Sequence, residues 1–263
     1  MSLLHFTDRG SGTPAVVFVH GFTCDLTDWD PTIRALSGTH RCIALDLPGH
    51  GRSPASSDPG IAAAATAVNA TLDRLGLDDV VLVGHSMGCR VVSESHSRAP
   101  ARVRGIAYID GSLLDGEPEA LVARYADMIE AVGLGTFLDR VYDDFFVPST
   151  PAAVRARVGA RRDRIDLDHA RRLLLDFVRW DATRCRAVLA GIDLPTLVIQ
   201  SSAVGPDFER LAIQPGQISP FARAVIDTVP GAVLETVPCG HFTMLEAPEV
   251  TDRLLAGWLG RLI

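Results

Sequence analysis

The sequence predicts an α/β protein with a mostly parallel sheet, helices on both faces of that sheet, and a helical cap inserted into it. Three observations lead to this fold class. Short apolar, β-branched segments recur along the 263 residues, helical segments separate them, and one long stretch lacks any strand-like segment. A chain of this length can bury the core of one large domain that carries an insertion.

Six segments have the composition of strands that are buried on both faces. Each is a short, mostly apolar run that is followed by glycine, proline or polar residues. The predicted strands cover residues 15–19, 42–45, 80–83, 105–109, 196–200 and 232–237.

Helical patterns lie between these strands and after the last one. Residues 62–75 are rich in alanine and stop before Gly76, a residue typical of a helix end. Near the C-terminus, apolar residues at helical spacing form one stripe. Its members are Leu254, Leu255, Trp258, Leu259 and Leu262.

The alternation of strands and helices stops between about residues 111 and 190. This segment contains helical spacing, as in Ala170, Leu173, Leu174, Phe177 and Val178, and no strand-like run. We therefore expect a core domain formed by residues 1–110 and 191–263, with residues 111–190 as a helical cap over one end of the sheet.

Composition excludes several classes of function. The formal net charge is -7, so the chain has no excess of positive charge to neutralise a nucleic-acid backbone. It contains no lysine, which excludes Schiff-base chemistry and the lysine of a phosphate-binding Walker loop. The five cysteines are scattered, without the spacing of a zinc site or a disulfide framework. We expect neither a metal nor an organic cofactor.

The N-terminal residues lack an apolar run of signal-peptide length, and no stretch approaches the roughly 20 apolar residues of a membrane span. These features predict a cytoplasmic protein that does not bind membranes. The oligomeric state is left open.

One five-residue string carries the main chemical signal. Gly84-His85-Ser86-Met87-Gly88 follows the predicted strand 80–83 directly and leads into a helical pattern. A Gly-x-Ser-x-Gly string in this strand, turn and helix context is typical of a nucleophilic serine on a strained turn, because glycines avoid clashes with the neighbouring strand and helix. The context is more specific than the string itself.

Three further strings follow predicted strands: His20-Gly21-Phe22, Asp46-Leu47-Pro48-Gly49-His50-Gly51-Arg52-Ser53 and Gly240-His241-Phe242. Together with the serine string they resemble the α/β-hydrolase superfamily, in the subgroup with a His-Gly-x loop and a helical cap. The resemblance covers nearly the whole chain outside the cap.

This resemblance implies roles for matching residues. Ser86 would be the nucleophile and His241 its base, since His241 is the histidine that follows the last strand, as the family's order of serine, acid and histidine requires. The backbone N–H groups of Phe22 and Met87 would form the oxyanion hole.

The third member of the triad is open. In most members of the family the acid lies shortly after the strand that follows the cap, but Val204 stands at that position here. Asp207 lies three residues further on, and Asp110 ends the strand beside the nucleophile strand, where some subgroups place their acid. We favour Asp110 over Asp207 as the partner of His241.

The predicted function is cleavage of a small-molecule carboxylic ester or lactone through an acyl-enzyme. Alternatives with the same triad are C–C bond hydrolysis, thioester hydrolysis and cofactor-free perhydrolysis. A member of the fold that binds a ligand without turning it over is a further alternative. Aromatic residues are the candidates for lining the substrate pocket: Trp29, Phe137, Phe145, Phe146 and Trp180.

Overall fold

Seven strands form one sheet in the computed structural model, which describes residues 3–164, 166–204 and 210–262. Two further short strands pair with each other outside this sheet. In chain order the strands are β1 (Phe6–Arg9), β2 (Ala15–Val19), β3 (Cys42–Leu45), β4 (Val80–His85), β5 (Val103–Ile109), β6 (Thr196–Gln200), β7 (Ser202–Val204), β8 (Arg210–Ala212) and β9 (Val233–Thr236).

The strand order in the large sheet is β1-β3-β2-β4-β5-β6-β9. Only β1 runs antiparallel to its neighbour, and the other pairs are parallel. The predicted fold class is therefore confirmed. Strand β1 was not predicted, because this half-exposed edge strand reads Phe-Thr-Asp-Arg and has no apolar run. The short pair β7 and β8 was not predicted either.

Helices connect the parallel strands and cover the sheet. The predicted helix at 62–75 is observed at 61–74, and Gly76 after it has a positive φ of 63°, which favours glycine. The helices are α1 (Asp30–Leu36), α2 (Ile61–Arg74), α3 (Met87–Arg98), α4 (Pro118–Val132), α5 (Leu134–Asp144), α6 (Ala152–Gly159), α7 (Leu167–Trp180), α8 (Arg186–Ala190), α9 (Pro220–Thr228), α10 (Thr243–Glu246) and α11 (Pro248–Leu259).

Both faces of the sheet are buried. In β2, Val17 and Val19 pack into one hydrophobic cluster, while Val16 and Phe18 pack into a second cluster on the opposite face. Adjacent side chains of a strand point to opposite faces, so a strand covered on both sides must be apolar throughout. This explains why β2 to β6 could be recognised as continuous apolar runs.

Helices α4 to α8 lie between β5 and β6, within the segment 111–190, which we call the inserted segment. Two buried ion pairs join it to the rest of the chain. Arg161 binds Asp28 with both terminal nitrogens, at 2.7 and 2.5 Å, and Asp181 accepts hydrogen bonds from Arg90 at 2.7 and 2.5 Å. Breaking a buried pair by removing one partner is strongly destabilising, so these contacts fix the inserted segment on the sheet. Its standing as a separate cap domain remains a prediction.

No helix within the described ranges has the length and apolar character needed to cross a membrane.

Candidate active site

Ser86 lies on a sharp turn between β4 and α3. Its backbone has φ 54° and ψ -118°, a conformation that non-glycine residues rarely adopt and that occurs at functional sites. Two glycines make the turn possible. A Cβ at Gly84 would lie 2.8 Å from the backbone nitrogen of Cys89, and one at Gly88 would lie 2.8 Å from the carbonyl oxygen of His20. The turn presents Ser86 at the carboxyl end of β4, partly exposed to a cavity.

His241 lies beyond the carboxyl end of β9, and its side chain reaches Ser86 at the carboxyl ends of the parallel strands. Its Nε2 is 2.8 Å from Ser86 Oγ, and its Nδ1 is 2.7 Å from Asp110 Oδ2. Because Nδ1 faces an acceptor, the neutral ring carries its proton there and leaves Nε2 free to accept the serine proton. The structure thus brings three of the predicted site residues together in one hydrogen-bonded chain.

Asp110 occupies the carboxyl end of β5, next to β4. It has a positive φ of 44°, and its backbone N–H donates to the carbonyl oxygen of Ile199 on β6 at 2.8 Å. This bend directs the side chain toward His241. Asp207, the alternative acid, lies outside the described residues.

The carboxylate of Asp110 is buried and accepts three hydrogen bonds at each oxygen. Oδ1 accepts from the side chain of Gln200 and from the backbone N–H groups of Ser201 and Ser202, at 2.8 to 2.9 Å. Oδ2 accepts from His241 at 2.7 Å, from the Ser202 hydroxyl at 2.5 Å and from Arg210 Nη1 at 3.3 Å. Although burial opposes ionisation, these donors and the charges of His241 and Arg210 hold the pKa of Asp110 below its usual value.

The imidazole of His241 is also buried. Burial lowers its pKa below 6.5, and the positive charge of Arg210 lowers the pKa further, while the hydrogen bond to Asp110 acts in the opposite direction. The ring is therefore neutral at pH 7, in the state that a general base requires.

Two aromatic rings and a backbone contact fix the position of His241. His85 Nε2 donates to the carbonyl oxygen of His241 at 2.8 Å, and the two imidazoles are 4.7 Å apart between centroids. On the other side the ring of Phe145 stacks on His241 at 5.0 Å, and the His241 N–H donates to the Phe145 carbonyl oxygen at 3.1 Å. Phe145 follows α5, so the inserted segment contributes directly to the position of His241.

The two predicted oxyanion donors flank the serine. Met87 is the first residue of α3, so its N–H has no acceptor within the helix. Gly21, before Phe22, is so close that a Cβ there would lie 3.0 Å from Ser86 Cβ. Phe22 and Met87 line the same cavity as Ser86.

The cavity above Ser86 has a volume of about 630 Å³, within the range of small-molecule sites. Most of its lining side chains are apolar, and α4, α5, α7 and α9 contribute many of them. They include Leu121, Tyr125, Met128, Phe137, Val141, Phe145, Leu174, Phe177 and Phe221. Arg90, Arg124, Arg140, Asp115, Asp144 and Arg210 add charge to the wall.

The five aromatic residues predicted for the pocket divide into two groups. Phe137 and Phe145 line the cavity. The other three lie elsewhere. Trp29 is fully buried against Phe18 in the second hydrophobic cluster, Phe146 packs near Phe242, and the Trp180 indole donates to Glu94 at 3.0 Å. In each case packing in the core or a polar partner determines where the ring lies.

Sequence reasoning missed four residues that contact Asp110: Gln200, Ser201, Ser202 and Arg210. Gln200 ends β6, and Ser201 and Ser202 follow it directly. Because this predicted strand lies beside the one that ends in Asp110, the position of these three residues was the signal that could have identified them. Arg210 had none, because it reaches Asp110 through the pairing of β7 with β8, where Val204 is the partner of Arg210.

Within the described residues, no cluster of histidine, cysteine or acidic side chains has the arrangement of a metal site.

Comparisons with known proteins find a family model and solved structures that match this chain. The model of the alpha/beta hydrolase family matches residues 16–254. An esterase from Thermogutta terrifontis has a similar structure, with a TM-score of 0.80 and 24% identity, covering 98% of this chain and 93% of that one. The enol-lactonase from Burkholderia xenovorans LB400 gives 0.77 and 23%, covering 98% and 96%. At these identities the two likenesses show the fold.

A curated relative matches a shorter part of the chain. The dihydrolipoyllysine-residue acetyltransferase component of the acetoin cleaving system of Cupriavidus necator is 36% identical over 107 residues, which are 40% of this chain and 29% of that protein. The chain thus spans less than a third of that relative.

Proposed function

Because the chain belongs to the alpha/beta hydrolase family, we propose that it is a serine hydrolase that cleaves a carboxylic ester or lactone through an acyl-enzyme. Ser86 is the nucleophile, His241 the general base and Asp110 the acid. The observation that carries this proposal is the continuous hydrogen-bonded chain from Ser86 Oγ through His241 to Asp110 beside an apolar cavity.

In the first half of the reaction, Ser86 Oγ attacks the carbonyl carbon of the substrate and its proton moves to His241 Nε2. The negative charge that develops on the carbonyl oxygen is stabilised by the N–H groups of Phe22 and Met87. Such fixed donors contribute strongly to catalysis, and removing one typically lowers the rate by a factor on the order of 10² to 10³. The tetrahedral intermediate then collapses, and the leaving alkoxide takes the proton from His241.

In the second half, water attacks the acyl-enzyme. His241 Nε2 accepts a proton from this water and returns it to Ser86 Oγ as the acid product leaves. In both halves Asp110 stabilises the imidazolium and keeps the proton of the neutral ring on Nδ1, since it accepts a hydrogen bond at that nitrogen. No atom outside the chain, the substrate and water is needed.

The cavity supports a substrate with an apolar acyl or aryl group. Its lining is dominated by aliphatic and aromatic side chains, and two of its arginines contact carboxylates: Arg90 binds Asp181, and Arg210 binds Asp110. The names of the structurally similar proteins, an esterase and an enol-lactonase, fit the same bond type. We propose a small ester or lactone as the substrate.

A panel of p-nitrophenyl esters of increasing acyl length, run beside a series of lactones, tests the proposal. We expect turnover by the wild type with an optimum in chain length set by the cavity. The matched variant Ser86→Ala should fold normally and lose at least about 10³-fold in kcat. Equal activity of Ser86→Ala and the wild type would refute the assignment of the nucleophile. Tight binding of these compounds without turnover would instead favour a ligand-binding protein.

A further inference from the structure

The strand pair β7 and β8 places a charged side chain against Asp110, in addition to the neutral ring of His241. Arg210, the first residue of β8, directs Nη1 to Asp110 Oδ2 at 3.3 Å and to the Ser202 hydroxyl at 2.8 Å. The Ser202 hydroxyl in turn donates to Asp110 Oδ2. The side chain of Arg210 is 10% exposed and that of Asp110 is fully buried. The guanidinium therefore has little contact with solvent that could screen its charge.

Charged and titratable groups from several elements surround Asp110, His241 and Arg210. His85 from β4 and Arg90 from α3 lie near His241. Cys89 from α3 and Cys239 lie near Asp110. Asp144 from α5 and Glu246 from α10 lie near Arg210 of β8 and offset part of its charge. Arg90 is neutralised in a buried bidentate pair with Asp181. Glu246 accepts hydrogen bonds from the backbone N–H groups of residues 240 and 242, on either side of His241. Arg210 is the cation of this set that contacts Asp110.

This contact has two opposing consequences. A positive charge beside Asp110 favours the ionised carboxylate, which orients His241. The same charge disfavours a proton on the nearby imidazole, so His241 stays unprotonated in more acidic solution than it would beside an isolated carboxylate. The second effect weakens the stabilisation of the imidazolium during catalysis but widens the pH range in which the base is available.

We propose that Arg210 is a positioning residue, which holds Asp110 ionised and in place and keeps His241 a free base in mildly acidic solution. This inference rests on the proposed function, because it assigns Arg210 a role in the same triad. The β7 and β8 pair follows the strand after which most members of the family carry the acid. In this protein the β7 and β8 pair instead supplies hydrogen-bond donors to Asp110, which ends the neighbouring strand β5.

The test compares the pH dependence of kcat/KM for the wild type, Arg210→Met and Arg210→Lys. The acid limb of this profile reports the free enzyme's base. Removing a cation within contact distance of the Asp110 and His241 pair should move the acid limb of Arg210→Met upward by about one pH unit or more. Arg210→Lys keeps the charge, so its acid limb should stay within a few tenths of the wild type.

A matched control separates this role from a purely structural one. Arg161→Met also removes a buried arginine from a carboxylate pair, with Asp28, away from the triad. We expect it to lower thermal stability and leave the acid limb unchanged. An acid limb of Arg210→Met equal to that of the wild type would overturn the proposal, whatever its effect on stability.

A second measurement keeps this inference separate from the proposed function. NMR titration of the His241 imidazole, assigned with His241→Ala, needs no substrate. A higher imidazole pKa in Arg210→Met would support the inference even if no ester or lactone is turned over. The lack of turnover would then refute only the proposed function. Turnover of esters together with an unchanged His241 titration would refute only the inference. Should Arg210→Met fail to fold, the same criteria apply to Arg210→Gln.

Discussion

The most informative single substitution is Asp110→Asn, because the environment of this side chain is so strictly defined. Each carboxylate oxygen accepts three hydrogen bonds. Asparagine has nearly the same shape but one acceptor oxygen and one NH₂ donor. If its oxygen keeps the three donors at the Oδ1 side, its NH₂ faces three further donors, from His241, Ser202 and Arg210.

The consequence for His241 follows from this conflict. The ring can avoid it by carrying its proton on Nε2, which then faces Ser86 Oγ and can no longer accept the serine proton. Loss of the correct tautomer in a serine triad costs about 10⁴ in kcat, equivalent to about 5 kcal/mol of transition-state stabilisation. The unsatisfied buried donors should also lower the free energy of unfolding by about 1 to 3 kcal/mol.

The assay is kcat for the best ester of the panel, at a temperature where circular dichroism shows Asp110→Asn to be folded. Asp207→Asn is the comparison variant and should retain nearly the wild-type kcat. Asp110 is not the acid of the triad if folded Asp110→Asn keeps more than about a tenth of the wild-type kcat, or if Asp207→Asn loses as much activity as Asp110→Asn.

Three other perturbations have defined outcomes. Gly88→Ala adds a Cβ 2.8 Å from the His20 carbonyl oxygen and should lower the thermal midpoint by several degrees. Gly257 lies on a helix and a Cβ there meets open space, so Gly257→Ala should leave the midpoint unchanged. Equal midpoints for the two variants would contradict this packing argument. Phe145→Leu removes the ring stacked on His241 and should lower kcat about tenfold. An unchanged kcat would show that the stacking is dispensable. Burial lowers the pKa of His20 to about 3, so only the unfolded chain takes up this proton as the pH falls below 6.5. Between pH 7 and pH 5 this proton uptake should lower the free energy of unfolding by about 2 kcal/mol. Other buried histidines, such as His50 and His241, add losses of the same sign, so urea titration should find the total loss about 2 kcal/mol smaller in His20→Gln than in the wild type.

The fold could be predicted because its signals are local. The central strands are buried on both faces and therefore consist of continuous apolar residues, as in Val80 to Val83. The turn at Ser86 could be predicted for the same reason, since the strained backbone requires glycine at fixed positions on both sides. The polar edge strand β1 has neither signal and was missed.

The contacts of the site depend on tertiary structure and were harder to predict. Asp110 could be proposed because it ends a strand beside the nucleophile strand, so its place follows from strand order. Trp29 and Trp180 are large aromatic residues of the kind that often line a pocket. The direction in which a large side chain points depends on what packs around it. Arg210 approaches Asp110 through the register of a short strand pair, and no sequence pattern encodes that register.

Covalent labelling with a fluorophosphonate determines whether Ser86 is an activated nucleophile. We expect peptide mapping of the folded wild-type protein to find a single adduct, on Ser86. Ser86→Ala should give none, and Asp110→Asn should be labelled far more slowly. Folded wild-type protein that forms no adduct, or that forms one on another residue, would show that Ser86 is not the nucleophile.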